Sequence, residues 1–453
     1  MKIAILGAGW AGLAAAIEAT RAGHAVVVFE ASHVLGGRAR AVSGHLADGR
    51  ATTLDNGQHI LIGAYTETLR LLRLVGVEPA LALLRIPMTL RRANGLGLQF
   101  PAWPTPLDAL AAIVSARGWT LADKWSLLRR AVCWQRTGFQ CDAGQSVAQL
   151  CQGLCPRVMA ELIAPLCLSA LNTPIDHASA QVFLRVLQDA LFGVPGGSHL
   201  LLPRVSLSEL FPNAAQRWLS EHGGQLQLGA RVASVSQQGA QWRVHGDSLR
   251  VGAAPGDGFD ALIFAGSAWE SARVLENSAP TATDAIAQSM RQWTAIARSL
   301  QFEAITTVYA WSADARLPQA MLSLHSDADH PAQFVFDRGQ LGASQGLLAF
   351  VVSASRGERQ VLTQKVLEQA RQQLGLRLQA LQTIVEKRAT FACTPGLLRP
   401  AQDIAPGLFA AGDYVAGPYP ATLEGAVRSG VAAAEAVALD AYDATLKGTT
   451  PGN

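Results

Sequence analysis

Gly7-Ala8-Gly9-Trp10-Ala11-Gly12, met almost at the start of the chain, restricts the fold more than any other stretch. An apolar run from Lys2 to Leu6 precedes it. An alanine-rich helical stretch follows, from Leu13 to Arg21, and Gly23 stops it. A β-branched run, Ala25-Val26-Val27-Val28-Phe29, then ends on Glu30. Strand, glycine turn, helix, strand and terminal acid in this order predict a βαβ dinucleotide-binding unit, and hence an α/β, Rossmann-like fold. Each residue type has a physical task. Gly7 permits the tight turn out of the strand, and Gly9 lets the backbone approach a pyrophosphate because it has no Cβ. Gly12 brings helix and sheet together. The helix start, with Trp10 and Ala11, offers free N–H groups and a positive dipole end to phosphates. Glu30 is placed to accept hydrogen bonds from ribose hydroxyls.

The rest of the composition narrows the partners. With 37 Lys+Arg against 34 Asp+Glu, the net charge of +3 has no concentrated basic face and predicts no nucleic-acid partner. Charged residues are 16% of the chain, against about 25% in ordinary soluble domains. So apolar a chain buries an unusual amount or meets a lipid-like partner. No run is long and apolar enough to span a bilayer. Met1-Lys2 leads directly into the first strand, so no signal peptide is expected. Cys133, Cys141, Cys151, Cys155 and Cys167 cluster without metal-ligand spacing, with Cys151 and Cys155 in a stretch that reads as helical. They are expected to be buried, reduced thiols in a cytoplasmic protein, with no metal.

After Glu30 comes Ala31-Ser32-His33-Val34-Leu35-Gly36-Gly37-Arg38. This resembles the E-A-x-x-x-x-G-G-R signature of the flavin amine oxidase and phytoene desaturase superfamily, the GR2-type flavoproteins. The resemblance implies FAD as cofactor, with Ala31, Gly36, Gly37 and Arg38 on its flavin half. Near the other end of the chain, Ala410-Ala411-Gly412-Asp413 closes a strand, and Ala421-Thr422-Leu423-Glu424-Gly425-Ala426 opens an alanine-rich helix. In the resembling superfamily the acid, here Asp413 after Gly412, bonds the ribityl chain. The helix start, here Ala421, Thr422 and Leu423, faces the flavin edge, where its dipole stabilises the reduced form. Gly229 to Val235 and Phe259 to Gly266 resemble two further strands, with Val232 at the adenine. The implied FAD domain is assembled from residues 1–80, 205–280 and 395–453. Residues 81–204 and 281–394 would form an α+β substrate domain with a helical insertion.

Leu54-Asp55-Asn56-Gly57-Gln58-His59-Ile60-Leu61-Ile62-Gly63-Ala64-Tyr65, taken with Tyr419-Pro420-Ala421-Thr422-Leu423-Glu424-Gly425-Ala426, resembles the hydroxysqualene dehydroxylases. That resemblance implies reductive removal of the hydroxyl of hydroxysqualene, a long-chain isoprenoid, with hydride from reduced flavin. Asn56, Gly57 and Gln58 would then lie at the cofactor. Gln58, His59 and Glu424 are the polar residues nearest the flavin motifs in sequence, and so the candidates to act on the substrate hydroxyl. His59 reads equally as a hydrogen-bonded histidine beside the sheet, and Glu424 as a helix cap. The rival readings are a phytoene-desaturase-like or amine-oxidase-like FAD enzyme and a non-catalytic isoprenoid-binding flavoprotein. Only one dinucleotide fingerprint is visible, so electrons are expected from NAD(P)H or from a reductase.

Residues 100–136 hold Trp103, Trp119, Trp125 and Trp134, four of the ten tryptophans. Leu121, Trp125, Leu128 and Val132 share one helical stripe, with Lys124, Arg129 and Arg130 off it. The stripe fits an interfacial helix giving peripheral contact with the inner face of the cell membrane, or an amphipathic helix packed on a core. The tail Lys447 to Asn453 carries no signal.

Overall fold

Short apolar strands covered on both faces build the first sheet, as parallel strands require. The computed structural model describes residues 1–101, 103, 107–249 and 258–448. Residues 102 and 104 of the proline-rich stretch, and the tail from 449, lie outside these. Six strands run in the order Gln225–Leu228, Ala25–Glu30, Lys2–Leu6, Ala261–Phe264, Leu408–Ala410 and Asp403–Ala405. All neighbours are parallel except the last pair. The helices Trp10–Arg21 and Leu423–Gly448 cross so closely that a Cβ on Gly430 would lie 2.1 Å from the Ala11 carbonyl oxygen. Alanine and glycine on both helices permit that approach.

Arg231–Gln238 is not one of this sheet's strands but pairs with Gln241–Asp247 as a separate antiparallel hairpin. The edge strand is Gln225–Leu228, whose glutamines interrupt the apolar run that would have announced it.

A second, antiparallel sheet runs in the order Met321–Ser323, Phe334–Asp337, Leu347–Val352, Phe302–Trp311 and Gln379–Phe391. Successive side chains alternate between its faces. Val308, Ala310, Val335, Leu348, Phe350 and Val352 pack outward with Val366 and Ala370 of the helix Arg359–Leu374. Ile305, Thr307, Phe334, Phe336, Val351 and Ile384 face inward over a cavity. A buried ion pair ties the second sheet to a small antiparallel hairpin made of Ala41–His45 and Ala51–Asp55. Arg338 Nη2 is 3.3 Å from Asp55 Oδ2, the two residues being 3% and 2% exposed. The Tyr309 hydroxyl donates to the Asp55 carbonyl oxygen at 2.9 Å.

Residues 107–193 are mainly helical, with π-helical turns at Met159–Ile163 and Asp189–Gly193. The stretch holding Cys151 and Cys155 is not one helix. Cys151 ends Val147–Leu150, Cys155 precedes Pro156–Val158, and proline at that helix start explains the break. Cys151, Cys167 and Cys393 are buried, whereas Cys133 is exposed. The described residues contain no helix long and apolar enough to cross a membrane.

Candidate active site

At the C-terminal ends of the parallel strands, below the inward face of the second sheet, lies a cavity of about 660 Å³. This is where open α/β sheets hold ligands. Its glycines test whether a dinucleotide fits. A Cβ on Gly7, at φ +121°, would collide with Ala265, and a Cβ on Gly12 would lie 1.9 Å from the Gly7 carbonyl oxygen. Gly9 differs. It lines the cavity, and a Cβ there would meet nothing within 4 Å. Two glycines are therefore small because the protein is in the way, and one because a ligand needs the space. Gly12 itself does not line the cavity, so its part is packing rather than cofactor contact. The helix Trp10–Arg21 starts at Gly9 with no side-chain cap, leaving its first N–H groups for an anion.

The flanking motif residues converge on the same space. Ala11, Glu30, Ala31, Gly36, Gly37, Arg38, Asn56, Gly57, Gln58, Val232, Gly412, Asp413, Ala421, Thr422 and Leu423 all line it. Trp10 lines it too, its indole N–H held by the Ala39 carbonyl at 3.0 Å. Glu30 is fixed by the N–H groups of Ala8 at 2.7 Å and Ser32 at 2.8 Å. Gly36 donates its N–H to the Ala8 carbonyl at 2.9 Å, closing the second glycine turn over the first. Arg38 Nη2 meets Asp413 Oδ1 at 2.6 Å, joining the two ends of the chain. The carboxylate of Asp413 and the hydrogen bond it makes hold the Arg38 guanidinium above its ordinary pKa.

The candidate acids fare differently. Glu424 is 0% exposed and lies outside the cavity lining. Its oxygens accept from the Glu67 N–H at 3.1 Å, the Thr68 N–H at 2.9 Å, the Thr68 hydroxyl at 2.7 Å and Arg428 Nε at 2.7 Å. Instead of meeting substrate, it caps the helix Thr66–Leu74 from a neighbouring one. His59 lines the cavity, and burial lowers its pKa to about 4. Its Nδ1 lies 3.2 Å from the Gly57 carbonyl, which can only accept, so Nδ1 carries the proton and Nε2 a lone pair. At neutral pH this histidine accepts hydrogen bonds at Nε2 and has no acidic proton to give. The Gln58 side-chain oxygen Oε1 accepts from Arg338 Nη1 at 3.3 Å.

Arg338, Thr307 and the rest of the second sheet carry no motif and were not singled out from sequence. The consecutive β-branched residues Ile305 to Val308 within Phe302–Trp311 mark a strand, but nothing local says which strand it will face. No lysine is among the described residues lining the cavity.

Residues 10–438 match the family of flavin-containing amine oxidoreductases. Hydroxysqualene dehydroxylase of Rhodopseudomonas palustris is 26% identical over 96% of this chain and 97% of its own length. A zeta-carotene desaturase of Solanum lycopersicum is 32% identical, over 27% of this chain and 21% of its own. In fold the chain resembles an oxidoreductase from Methanosarcina mazei, with a TM-score of 0.69 and 17% identity over 96% of this chain and 100% of that one. With that glycine cradle and this match along the chain, the protein belongs to the flavin-containing amine oxidoreductases and is an FAD-dependent oxidoreductase.

Proposed function

We propose that the enzyme removes the hydroxyl of hydroxysqualene, or of a closely related long-chain isoprenoid alcohol, to leave squalene. The observation that carries this reading is the far end of the cavity. There Met88, Leu90, Leu166, Ile305, Phe334 and Ile384 continue the flavin pocket as an apolar space under the second sheet. The likeness to hydroxysqualene dehydroxylase over nearly the whole of both chains supports it. An amine substrate is disfavoured because the described lining offers no lysine to order water at the flavin. In the reaction the C–O bond breaks, the oxygen leaves as water with one added proton, and a hydride takes its place on carbon. FAD, when bound and reduced, supplies that hydride. The protein's task is to hold the chain, exclude water and keep neutral His59 beside the reacting end. We read residues 1–80, 205–280 and 395–453 as the flavin domain, and 81–204 and 281–394 as the substrate side. The electrons come from NAD(P)H or from a reductase.

A bilayer-dissolved substrate also calls for contact with membrane. In the helix Leu121–Arg136 the buried residues are Asp123, Leu127 and Trp134. Leu121, Trp125 and Val132 are 85%, 69% and 46% exposed. Three of the four residues of the expected apolar stripe are thus exposed, while Leu128 is half-buried. Leu107, Leu110 and Val114 of Leu107–Ser115 are exposed as well. Between residues 107 and 136 the acids are Asp108 and Asp123, both buried, beside Arg117, Lys124, Arg129, Arg130 and Arg136. An apolar face edged by unopposed cations suits an anionic lipid surface.

The test is an anaerobic single turnover. Enzyme reduced with dithionite is mixed with hydroxysqualene in detergent, and flavin absorbance is followed while products are extracted. Reoxidation with squalene formation is the expected result. Bleaching of the oxidised enzyme by squalene or phytoene, with no reoxidation by the alcohol, would reverse the electron flow to that of a desaturase and overturn the reading.

A further inference from the structure

The inward face of the second sheet is apolar at its centre apart from one residue, Thr307, while Glu386 and Thr390 bring polar groups to the cavity further along Gln379–Phe391. Thr307 is 1% exposed, it lines the cavity, and its hydroxyl has no hydrogen-bond partner among the described residues. Its neighbours on the strand Phe302–Trp311 are satisfied. Thr306 donates to the Ser355 hydroxyl at 2.8 Å, and the Tyr309 hydroxyl is bound to Asp55. Buried hydroxyls without partners are uncommon because each costs on the order of 1–3 kcal/mol, so this one calls for a ligand atom.

A second polar atom opens nearby. A Cβ on Gly57 would lie 3.7 Å from His59 Cε1 and 3.9 Å from Thr307 Oγ1, so imidazole and hydroxyl flank one point on the cavity wall. Nδ1 of His59 is committed to the Gly57 carbonyl, and no described residue hydrogen-bonds Nε2. The pair therefore offers one acceptor, Nε2, and one donor, the threonine O–H. An alcohol needs that combination: its O–H donates and its oxygen accepts. Around them Ile305, Phe336, Val351 and Ile384 offer contact with hydrocarbon and no other hydrogen bond.

We propose that Thr307 and His59 Nε2 form a binding site for the hydroxyl of the isoprenoid substrate, Thr307 donating to its oxygen and His59 accepting its proton in a hydrogen bond. This rests on the functional reading above and deepens it, since it says where the polar end of an otherwise apolar chain is recognised. A site built to bond a hydroxyl discriminates against the molecule that lacks it, because its own polar atoms then stay unpaired. The alcohol is therefore held in preference to the hydrocarbon product, which favours product release.

The experiment compares wild type with Thr307→Val, which keeps the shape and deletes the hydroxyl, and with Thr307→Ser, which keeps the hydroxyl. Binding of hydroxysqualene and of squalene to the FAD-loaded, oxidised enzyme is titrated in detergent through perturbation of the flavin absorbance. Thr307→Val should weaken hydroxysqualene binding about tenfold and leave squalene binding unchanged, while Thr307→Ser should restore most of the difference. FAD content and the ligand-free flavin spectrum should match wild type in both. Equal weakening toward both ligands would mean a packing role, and a changed ligand-free flavin spectrum would mean that the hydroxyl serves the cofactor. Either overturns the site. A wild-type preference for the alcohol that survives in Thr307→Val overturns it alone. Wild type with no preference, and no turnover of hydroxysqualene, overturns the functional reading together with it.

Discussion

Thr68 gives both its hydroxyl, at 2.7 Å, and its backbone N–H, at 2.9 Å, to one oxygen of Glu424, which lies on a different helix. The carboxylate thereby supplies the cap that the helix Thr66–Leu74 lacks from its own Tyr65. Glu424→Gln keeps the volume but removes the charge and turns one acceptor into a donor facing other donors. The expected cost is on the order of 3 kcal/mol of stability. The melting temperature should fall by several degrees, while the single-turnover rate of enzyme that remains folded stays near wild type. A large loss of rate with unchanged melting would return Glu424 to the catalytic machinery.

Gly9 and Gly12 are three residues apart in one motif, yet substitutions there should fail differently. Gly9→Ala places its new Cβ in the open space of the cavity, with nothing within 4 Å. It should yield a chain with wild-type circular dichroism that purifies colourless. Gly12→Ala drives a methyl onto the Gly7 carbonyl, so loss of soluble protein or of cooperative melting should come before any change in flavin content. The ratio of absorbance at 450 nm to that at 280 nm, read beside the melting curve, separates the two.

Membrane contact is tested by vesicle flotation. Leu121→Glu combined with Trp125→Glu removes two large exposed side chains from the outward face. Together with Arg129→Glu it should abolish flotation with vesicles rich in anionic lipid. Arg129→Glu alone should weaken flotation at low salt and less so at high salt. Turnover of substrate presented in detergent should persist in all three. Unchanged flotation of the triple variant would remove this face as the contact.

His59 gives the protein a defined sensitivity to acid. Its pKa is about 4 in the folded chain, against 6.5 for an ordinary histidine, because burial disfavours the imidazolium. The unfolded chain takes up that proton first, so stability should decline as pH falls from about 6.5 toward about 4 and lose nothing further through this group below that. Histidine-to-asparagine replacement at 59 should flatten that part of the stability–pH curve, as read by urea midpoints across the range. An unchanged slope would assign the effect to other groups.

The parts of the molecule legible in the sequence are those whose physics is local. Gly7, Gly9, Gly12 and Glu30 act within one turn–helix–strand unit, so their spacing alone states their tasks. Arg38 and Asp413 were each readable as cofactor residues because each sits in a motif of its own, but their ion pair shows only in the folded chain. Glu424 shows the limit of nearness in sequence. Leu423 and Ala426, three residues apart, face the cavity. Glu424 and Arg428, four apart, face the neighbouring helix. On a helix one residue's step turns a side chain through roughly a quarter of the circumference, away from the site. Thr307 and Arg338 stayed invisible for a different reason: strand pairing alone brings them over Gly57 and Gln58. The stripe at Leu121, Trp125 and Val132 had the right period, and only the packing of Leu127 and Trp134 could say which side was wet.

The crossing of Trp10–Arg21 with Leu423–Gly448, sealed at Ala11 and Gly430, also has a consequence for how the protein comes into being. On the ribosome the first strand and its glycine loop emerge long before the helix that completes them. Until Leu423–Gly448 has been made, the alanine-rich helix at the phosphate end of the site lacks the partner that packs against Ala11. Cofactor capture therefore waits on residues about 400 positions beyond the glycine loop, and a chain cut before Leu423 would never turn yellow.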